Sequence, residues 1–340
     1  MQFGRGGKPS AGAFFDTDFA TIDTYLAQAL LHGLQGKNDC RVAIVTMSRP
    51  NLAVAGFADA VERYYRGPAG NFAQVPPMGM RTEGAPGETP VGVTAPFQKP
   101  GPDGKPLHVN KVRTVIDTGD PNTLFRNYLQ AQNDQNAFFV LAGPATNLAA
   151  ALAFRGMKEL ITAKIKYLVV DGSERNIKAD VAAAKKVFAE WPTPVILSGS
   201  EIGNSVLFPG ASLDKEFAAT TPDHPVAELY RSWKTPAYDA PSGAMAAALH
   251  AGRPKEGYFK VSEAGTITVQ DDGRTTFAAM AGGKHQHLIA DPAQKEKILK
   301  AYVELTSAKP VMPQRFRPPV AADKAADKDP LLDKPEAAKP

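Results

Sequence analysis

The sequence predicts an α/β fold, an open and mostly parallel sheet with helices on both faces, built as a single domain. Apolar runs of strand length alternate with stretches of helical periodicity from the start of the chain, which is the pattern of a doubly wound sheet. These runs are rich in β-branched and aromatic residues, as buried strands are. With 340 residues, 43% of them hydrophobic, the chain is long enough to bury a large core.

Ala11 to Phe15 reads as the first strand and Ala20 to Leu34 as the first helix. Arg41 to Met47 is a β-branched run closed by Ser48-Arg49-Pro50, and Leu52, Ala55, Ala58, Val61 and Tyr65 then recur at helical spacing. Gln74 to Met80 offers a third strand. Arg81 to Asn110 is crowded with Gly and Pro and carries no period, so it reads as a long solvated surface loop, of a length that often covers a binding site. The pattern resumes with Thr123 to Gln132 as helix, Ala137 to Ala142 as strand and Asn147 to Arg155 as helix. Lys166 to Val170 is the next strand, Lys178 to Glu190 the next helix and Pro194 to Ser198 a further strand. Pro225 to Trp233 and Pro241 to Leu249 are two more helical segments, and Tyr258 to Val269 alternates like a strand pair turning near Glu263-Ala264-Gly265. The folded domain is expected to run from 11 to 307, after a flexible N-terminus at 1–10. Ala308 to Pro340 is Pro, Ala, Lys and Asp, too poor in apolar residues to offset the entropy of ordering, and reads as a disordered tail.

Composition narrows the function. A net charge of +4, with no basic stripe, argues against nucleic acid as a partner. Cys40 is the only cysteine, which rules out an intrachain disulfide and a cysteine-based zinc cage. No apolar run is long enough to span a bilayer, and Met1 to Lys8 lacks the apolar core of a signal peptide. The chain as written therefore reads as soluble and cytoplasmic, with an exported form left open if the true start lies upstream.

Chemistry concentrates at four strand ends. In Phe14-Phe15-Asp16-Thr17-Asp18-Phe19-Ala20-Thr21-Ile22-Asp23 a short apolar strand gives way to a helix through three carboxylates. Acids beyond the carboxyl end of a parallel strand face the crevice that open sheets use for ligands, and an oxygen-only set suits a hard cation. The same acids also suit the positive end of a capped helix. Gly143-Pro144-Ala145-Thr146-Asn147-Leu148 follows a second buried strand, with Thr146 or Asn147 fit to cap the next helix. Asp171-Gly172-Ser173-Glu174-Arg175-Asn176 follows a third; Asp180 reads as a helix cap, while Glu174 and Asn176 lie too far upstream for that and are candidates for binding hydroxyls. Tyr238-Asp239 precedes a helix with Pro241 in its first turn.

In order and spacing, D-x-D-x-x-x-x-D, G-P-x-T-N-L, E-x-N before D-x-A-A, and Y-D-x-x-x-x-A resemble the inosine-uridine-preferring nucleoside hydrolase family, from about Ala11 to Lys300. The resemblance implies a Ca²⁺ ion at the carboxyl edge of the sheet that binds ribose hydroxyls and the attacking water. It makes Asp18 a metal ligand and the base that deprotonates the water. Asp23 and Asp239 become further carboxylate ligands, and Thr146 a ligand through its main-chain carbonyl. Asp16 supports the metal shell, Glu174 and Asn176 contact sugar hydroxyls, and Tyr238 stands at the leaving base. The partner implied is a small nucleoside or glycoside, and a homo-oligomer is common in the family. The chemistry is coherent: a cation acidifies its bound water, a carboxylate removes the proton, and hydroxide attacks an anomeric carbon of oxocarbenium character.

The chain departs from the family pattern D-x-D-P-G-x-D-D, since Phe19-Ala20 replace Pro-Gly and Ile22 stands where a ribose-binding acid is expected. E-F-N reads Glu174-Arg175-Asn176 after a shortened loop, and Tyr238 takes the place of a histidine. His285 and His287, at i,i+2 spacing, could suit a metal on a strand but read as a solvated turn; His32 and His250 read as helix-end residues. Two alternatives follow. One is a catalytically weak or inactive sugar-binding or nucleoside-binding relative. The other is a phosphatase of the haloacid dehalogenase type, which Asp16-Thr17-Asp18 after a strand imitates but for which the later lysine and paired acids are not apparent.

Overall fold

The computed structural model describes residues 10–66, 75–234 and 238–311. Its strands are β1 (Ala11–Thr17), β2 (Cys40–Met47), β3 (Gly79–Met80), β4 (Ala137–Ala142), β5 (Ile165–Gly172), β6 (Val195–Gly199), β7 (Lys260–Val261), β8 (Gly265–Val269), β9 (Thr275–Ala279) and β10 (His285–Ile289). The helices are α1 (Ile22–Gly36), α2 (Leu52–Arg66), α3 (Pro121–Gln130), α4 (Thr146–Ala151), α5 (Met157–Lys164), α6 (Glu174–Ala179), α7 (Val181–Glu190), α8 (Ser200–Ser205), α9 (Glu216–Thr220), α10 (Pro225–Trp233), α11 (Gly243–Gly252) and α12 (Lys295–Thr306). The α/β class expected from the sequence is what the chain adopts.

The strands form one sheet in the order β3-β2-β1-β4-β5-β6-β10-β8-β9, with β7 beside β10. Every pair from β3 to β10 along this path is parallel, and β8, β9 and β7 add antiparallel pairings at the far end. Alternate side chains enter separate cores. Phe15, Val45 and Val140 pack with α1 and α11 on one face, while Phe14, Ile44 and Phe139 pack with α4 and α7 on the other. This explains why β1, β2 and β4 read as unbroken apolar runs.

One topological feature locates the site. From β1 the chain moves to β2 on one side, whereas from β4 it moves to β5 on the other. A crevice therefore opens at the carboxyl ends of the adjacent strands β1 and β4, the switch point at which open sheets bind ligands. Asp16 to Asp23 and Gly143 to Asn147 are the two connections that border it.

Several local expectations are corrected. The third strand is only Gly79–Met80, and Gln74 lies outside the described residues, as do 1–9 and 312–340 of the two expected flexible ends. The segment 81–110 is not merely solvated: Val93, His108 and Asn110 are buried, and Asn51 Nδ2 donates to the carbonyls of Gly87 and Glu88 at 3.0 and 3.1 Å. Its backbone is thereby held near the crevice. The helix read from Lys178 to Glu190 is two helices, because Asp180 leaves helical geometry (φ −158°, ψ 80°) and its Oδ1 accepts from Ala183 N at 3.0 Å. Lys260–Val261 pairs with Leu288 and Ile289, and not with Gly265–Val269, whose partner is β9. His285 and His287 lie on β10 rather than in a solvated turn. Nδ1 of buried His285 accepts from Ile267 N at 2.8 Å, and the His287 ring packs edge-on against Phe277. His32 is buried within α1 and paired with Glu62 at 2.7 Å, so it is not a helix-end residue in contact with water. Helix α5 was not foreseen. Among the described residues no helix is long and apolar enough to cross a membrane.

Candidate functional site

The β1 exit is built by packing and not by glycine. Phe19 takes a left-handed conformation (φ 53°), which costs a residue with a Cβ about 1–2 kcal/mol. Its fully buried ring offsets this by packing edge-on to Phe15, with centroids 6.0 Å apart, and tilted over Tyr25 at 4.9 Å. The turn is tightened by Thr17, whose hydroxyl donates to Ala142 O at 2.8 Å and accepts from Phe19 N at 3.2 Å. Across the crevice Gly143 approaches so closely that a Cβ there would lie 2.6 Å from Asp18 N. Only glycine fits that contact.

The carboxylates have distinct surroundings. Asp16 is fully buried, opposite Thr46 in the β1–β2 register, and its Oδ1 accepts from Thr46 Oγ1 at 2.5 Å and Asn147 Nδ2 at 2.8 Å. Oδ2 of Asp16 has no partner among the described residues. Burial pushes the Asp16 pKa up to about 7, against the lowering effect of those two hydrogen bonds. Asp23, at the start of α1, accepts from Thr21 Oγ1 at 2.6 Å and Ala244 N at 2.9 Å, which ties α1 to α11. Asp171, at the end of β5, accepts from Ser173 N at 3.1 Å and Asn176 Nδ2 at 3.0 Å. Burial raises the pKa of both Asp23 and Asp171, and their mutual repulsion favours keeping a proton on the pair.

Asp18 is different because a cation already holds it. Arg175, on α6, donates from Nη2 to Asp18 Oδ2 at 2.7 Å and from Nη1 to Asp18 Oδ1 at 3.4 Å, while Nη1 also donates to Asn176 Oδ1 at 2.9 Å. Helix α6 is fixed over the crevice by Arg49, whose guanidinium donates to Ala179 O at 2.7 Å. Neither Arg175 nor Asp171 was singled out from the sequence as a site residue. A charged residue in an otherwise sugar-contacting E-x-N triplet was the available signal for the first, and a carboxylate at the last turn of a buried strand for the second.

The side chains of the other expected site residues make contacts of their own. Asp239 is exposed, and its Oδ1 accepts from Gly210 N at 3.0 Å. The Thr146 hydroxyl donates to Asp180 Oδ2 at 2.7 Å, so Thr146 bridges α4 to the start of α7. Ala145, not Thr146 or Asn147, stands at the N-cap of α4, and Asn147 instead reaches Asp16 and the Met47 carbonyl. Asn147 is thus a site residue whose role the sequence disguised as capping. Glu174 pairs with Lys178 and lines a neighbouring cavity of about 410 Å³ with Glu201, Arg274 and His287. Tyr238 stacks on Tyr230 at 4.8 Å; its hydroxyl is buried without a partner among the described residues, and burial with the nearby Asp23 charge pushes its pKa up to about 12. Ile22, where an acid was expected, is buried in the core.

A divalent ion does not fit this arrangement. Among the described residues no three His, Cys, Asp or Glu side chains converge as ligands. A Ca²⁺ ion needs six to eight oxygens at about 2.3–2.6 Å, and Asp18 presents its two to a guanidinium.

No protein-family model matches the sequence, and no curated protein does. Its fold is similar to solved nucleoside hydrolases. An inosine-guanosine nucleoside hydrolase superposes with a TM-score of 0.64 at 19% identity, covering 87% of this chain and 99% of that one. A plant nucleoside hydrolase gives 0.62 at 18% identity over 88% and 100% of the two chains. A purine-preferring ribonucleoside hydrolase from Gardnerella vaginalis gives 0.63 at 16% identity over 87% and 98%. At these identities the likeness is one of fold.

Proposed function

We propose that this chain binds a ribonucleoside or a closely related glycoside in the crevice between β1 and β4 and hydrolyses its N-glycosidic bond. The observation that carries this reading is the placing of Asp16 with Asn147, Asp18 with Arg175, and Asp171 with Asn176 along the strand ends around the switch point of a sheet similar in fold to nucleoside hydrolases. Breaking the bond to the base leaves positive charge on the sugar ring, and nearby carboxylates stabilise it where water is excluded. Asp18, about 4% exposed, is the carboxylate placed to take a proton from water once Arg175 moves off it. Arg175 has room to do so, since its side chain is 40% exposed. Tyr238, protonated throughout the neutral range and with no partner for its hydroxyl among the described residues, is placed to donate a hydrogen bond to the departing base. The calcium step implied by the sequence resemblance is left out of this reaction, because no three His, Cys, Asp or Glu side chains among the described residues form a ligand set for the ion.

The test is release of free base from inosine, uridine, adenosine and guanosine, followed chromatographically, for wild type and Asp18→Asn. Loss of the general base is expected to slow hydrolysis by about 10²–10⁴-fold. No base released from any of the four by the wild type would remove the hydrolytic reading. The Asp18–Arg175 pair itself favours a second one, a sugar-binding or nucleoside-binding relative without turnover. Saturable heat of binding with ribose or a nucleoside, without base release, is its signature.

A further inference from the structure

Two guanidinium groups stand at the mouth of the crevice. Arg175, in the first turn of α6, lies over Asp18 with its Nη2 2.7 Å from Oδ2, and its side chain is 40% exposed where that of Asp18 is 5% exposed. The arginine therefore covers the carboxylate from the solvent side. Arg49, just past β2, donates from Nη2 to the carbonyl of Ala179 at 2.7 Å. Ala179 lies on α6 one turn beyond Arg175, about 6 Å along the helix axis. A Cβ built on Gly87 would lie 3.2 Å from Arg49 Cβ and 3.9 Å from Asp18 O, so the Arg49 stem and the Asp18 main chain border the same loop residue. Among the described residues Arg49 has no carboxylate partner, only that neutral carbonyl. Asp180, next to Ala179, has its oxygens taken by Ala183 N and Thr146 Oγ1.

A neutral ligand that reached Asp18 would break the ion pair and leave a guanidinium and a buried carboxylate each without its partner, which is costly. An anionic ligand group instead exchanges one ion pair for another. Phosphate is the anion that nucleosides carry, and its oxygens match the fork of a guanidinium. On the sugar, the buried carboxylates of Asp23 and Asp171 suit hydroxyl groups and repel a phosphate. The 5′ position, away from the 2′,3′-diol, is the one left for the arginines.

We infer that the ligand of this crevice is a ribonucleoside 5′-phosphate, whose phosphate draws Arg175 away from Asp18 and is held between Arg175 and Arg49. The inference rests on the proposed function in taking this crevice as a nucleoside site. The exchange makes and breaks no covalent bond: the guanidinium passes from Asp18 to the phosphate, and Asp18 is left open to water. Hydrolysis then adds water at the anomeric carbon and releases the base, with the phosphate kept on the sugar. Neutral nucleosides, which give Arg175 nothing in exchange, are weaker ligands.

The experiment titrates inosine, uridine, adenosine and guanosine, and the 5′-monophosphate of each, into the full-length protein by calorimetry at about 0.15 M salt, which screens non-specific attraction. Base release from the same ligands is followed by chromatography. Wild type, Arg175→Gln and Arg49→Gln are compared, with circular dichroism and thermal melts to check that each is folded. Wild type is expected to bind at least one monophosphate about tenfold or more tightly than its nucleoside, the worth of a hydrogen bond to a charged group, and each variant to lose most of that preference. A wild-type preference below tenfold in all four pairs overturns the inference, the case in which no ligand binds included. This comparison needs no variant, so it decides even where one fails to fold. A preference that survives in folded Arg175→Gln overturns the inference as well. Tight binding of a monophosphate without base release supports it and removes the hydrolytic reading, whereas base release from nucleosides with no preference for phosphate does the reverse.

Discussion

Asp16→Asn isolates the cost of keeping a carboxyl group in the wall of the crevice. Asp16 has no exposed surface, and burial raises its pKa from 3.8 to about 7 in the folded chain. An acid whose folded pKa is raised stabilises the fold fully below its unfolded pKa and loses that contribution as pH rises through the folded value. At about 1.4 kcal/mol for each tenfold change in proton affinity, the interval from 3.8 to about 7 amounts to about 4 kcal/mol. Asparagine keeps an oxygen to accept from Thr46 and Asn147 but does not ionise. Urea unfolding of wild type and Asp16→Asn at pH 4 to 8.5 should show the variant gaining on wild type between about pH 4 and 7, by up to about 4 kcal/mol, and holding that margin above. Asp171 titrates in both proteins, so the difference between them reports on Asp16. A difference that stays within about 1 kcal/mol across the range would show that Asp16 ionises in the folded chain without penalty, and the argument from burial would be wrong.

Other perturbations test other parts of the site and its frame. Gly143→Ala would place a Cβ 2.6 Å from Asp18 N and 2.9 Å from Thr17 backbone atoms; it should lower stability by about 1–3 kcal/mol and, by shifting Asp18, cut base release on the order of 100-fold, as thermal melts and chromatography would record. Glu62→Ala strands buried His32, paired at 2.7 Å, and should cost about 3–5 kcal/mol in urea unfolding, whereas Glu62→Gln keeps an acceptor and should cost less. Tyr238→Phe removes the hydroxyl placed at the departing base and should lower kcat about tenfold, the worth of one hydrogen bond. Because burial raises the pKa of Tyr238 to about 12, wild type and Tyr238→Phe should share one pH–rate profile between pH 6 and 10, and a basic limb lost in the variant would contradict its placement.

Much of the frame was legible because periodicity reports burial. Ala137–Ala142 has the bounds read from the sequence, since every one of its residues is buried and the apolar run ends at Gly143-Pro144, which cannot continue a strand. Asp180 was legible as a helix cap, but the short helix Glu174–Ala179 ahead of it and the bond that Asp180 accepts from Thr146 were not, because apolar spacing carries no sign of a contact made 34 positions away. His285 looked solvated beside two glycines, yet pairing of β10 with β6 draws it into the sheet. Such long-range pairing leaves no local trace.

By itself the sequence determined the sheet class, the polar strand ends and the carboxylates at 16, 18 and 23, because chain direction and hydrophobic pattern are local properties. Which of those carboxylates is free to act was decided by tertiary structure alone. Arg175 lies 157 positions from Asp18, and only the placement of β5 two strands from β1, with α6 held by Arg49, brings its charge to bear. Electrostatic interaction depends on distance in space and on exclusion of water, and neither can be read from the order of residues along the chain.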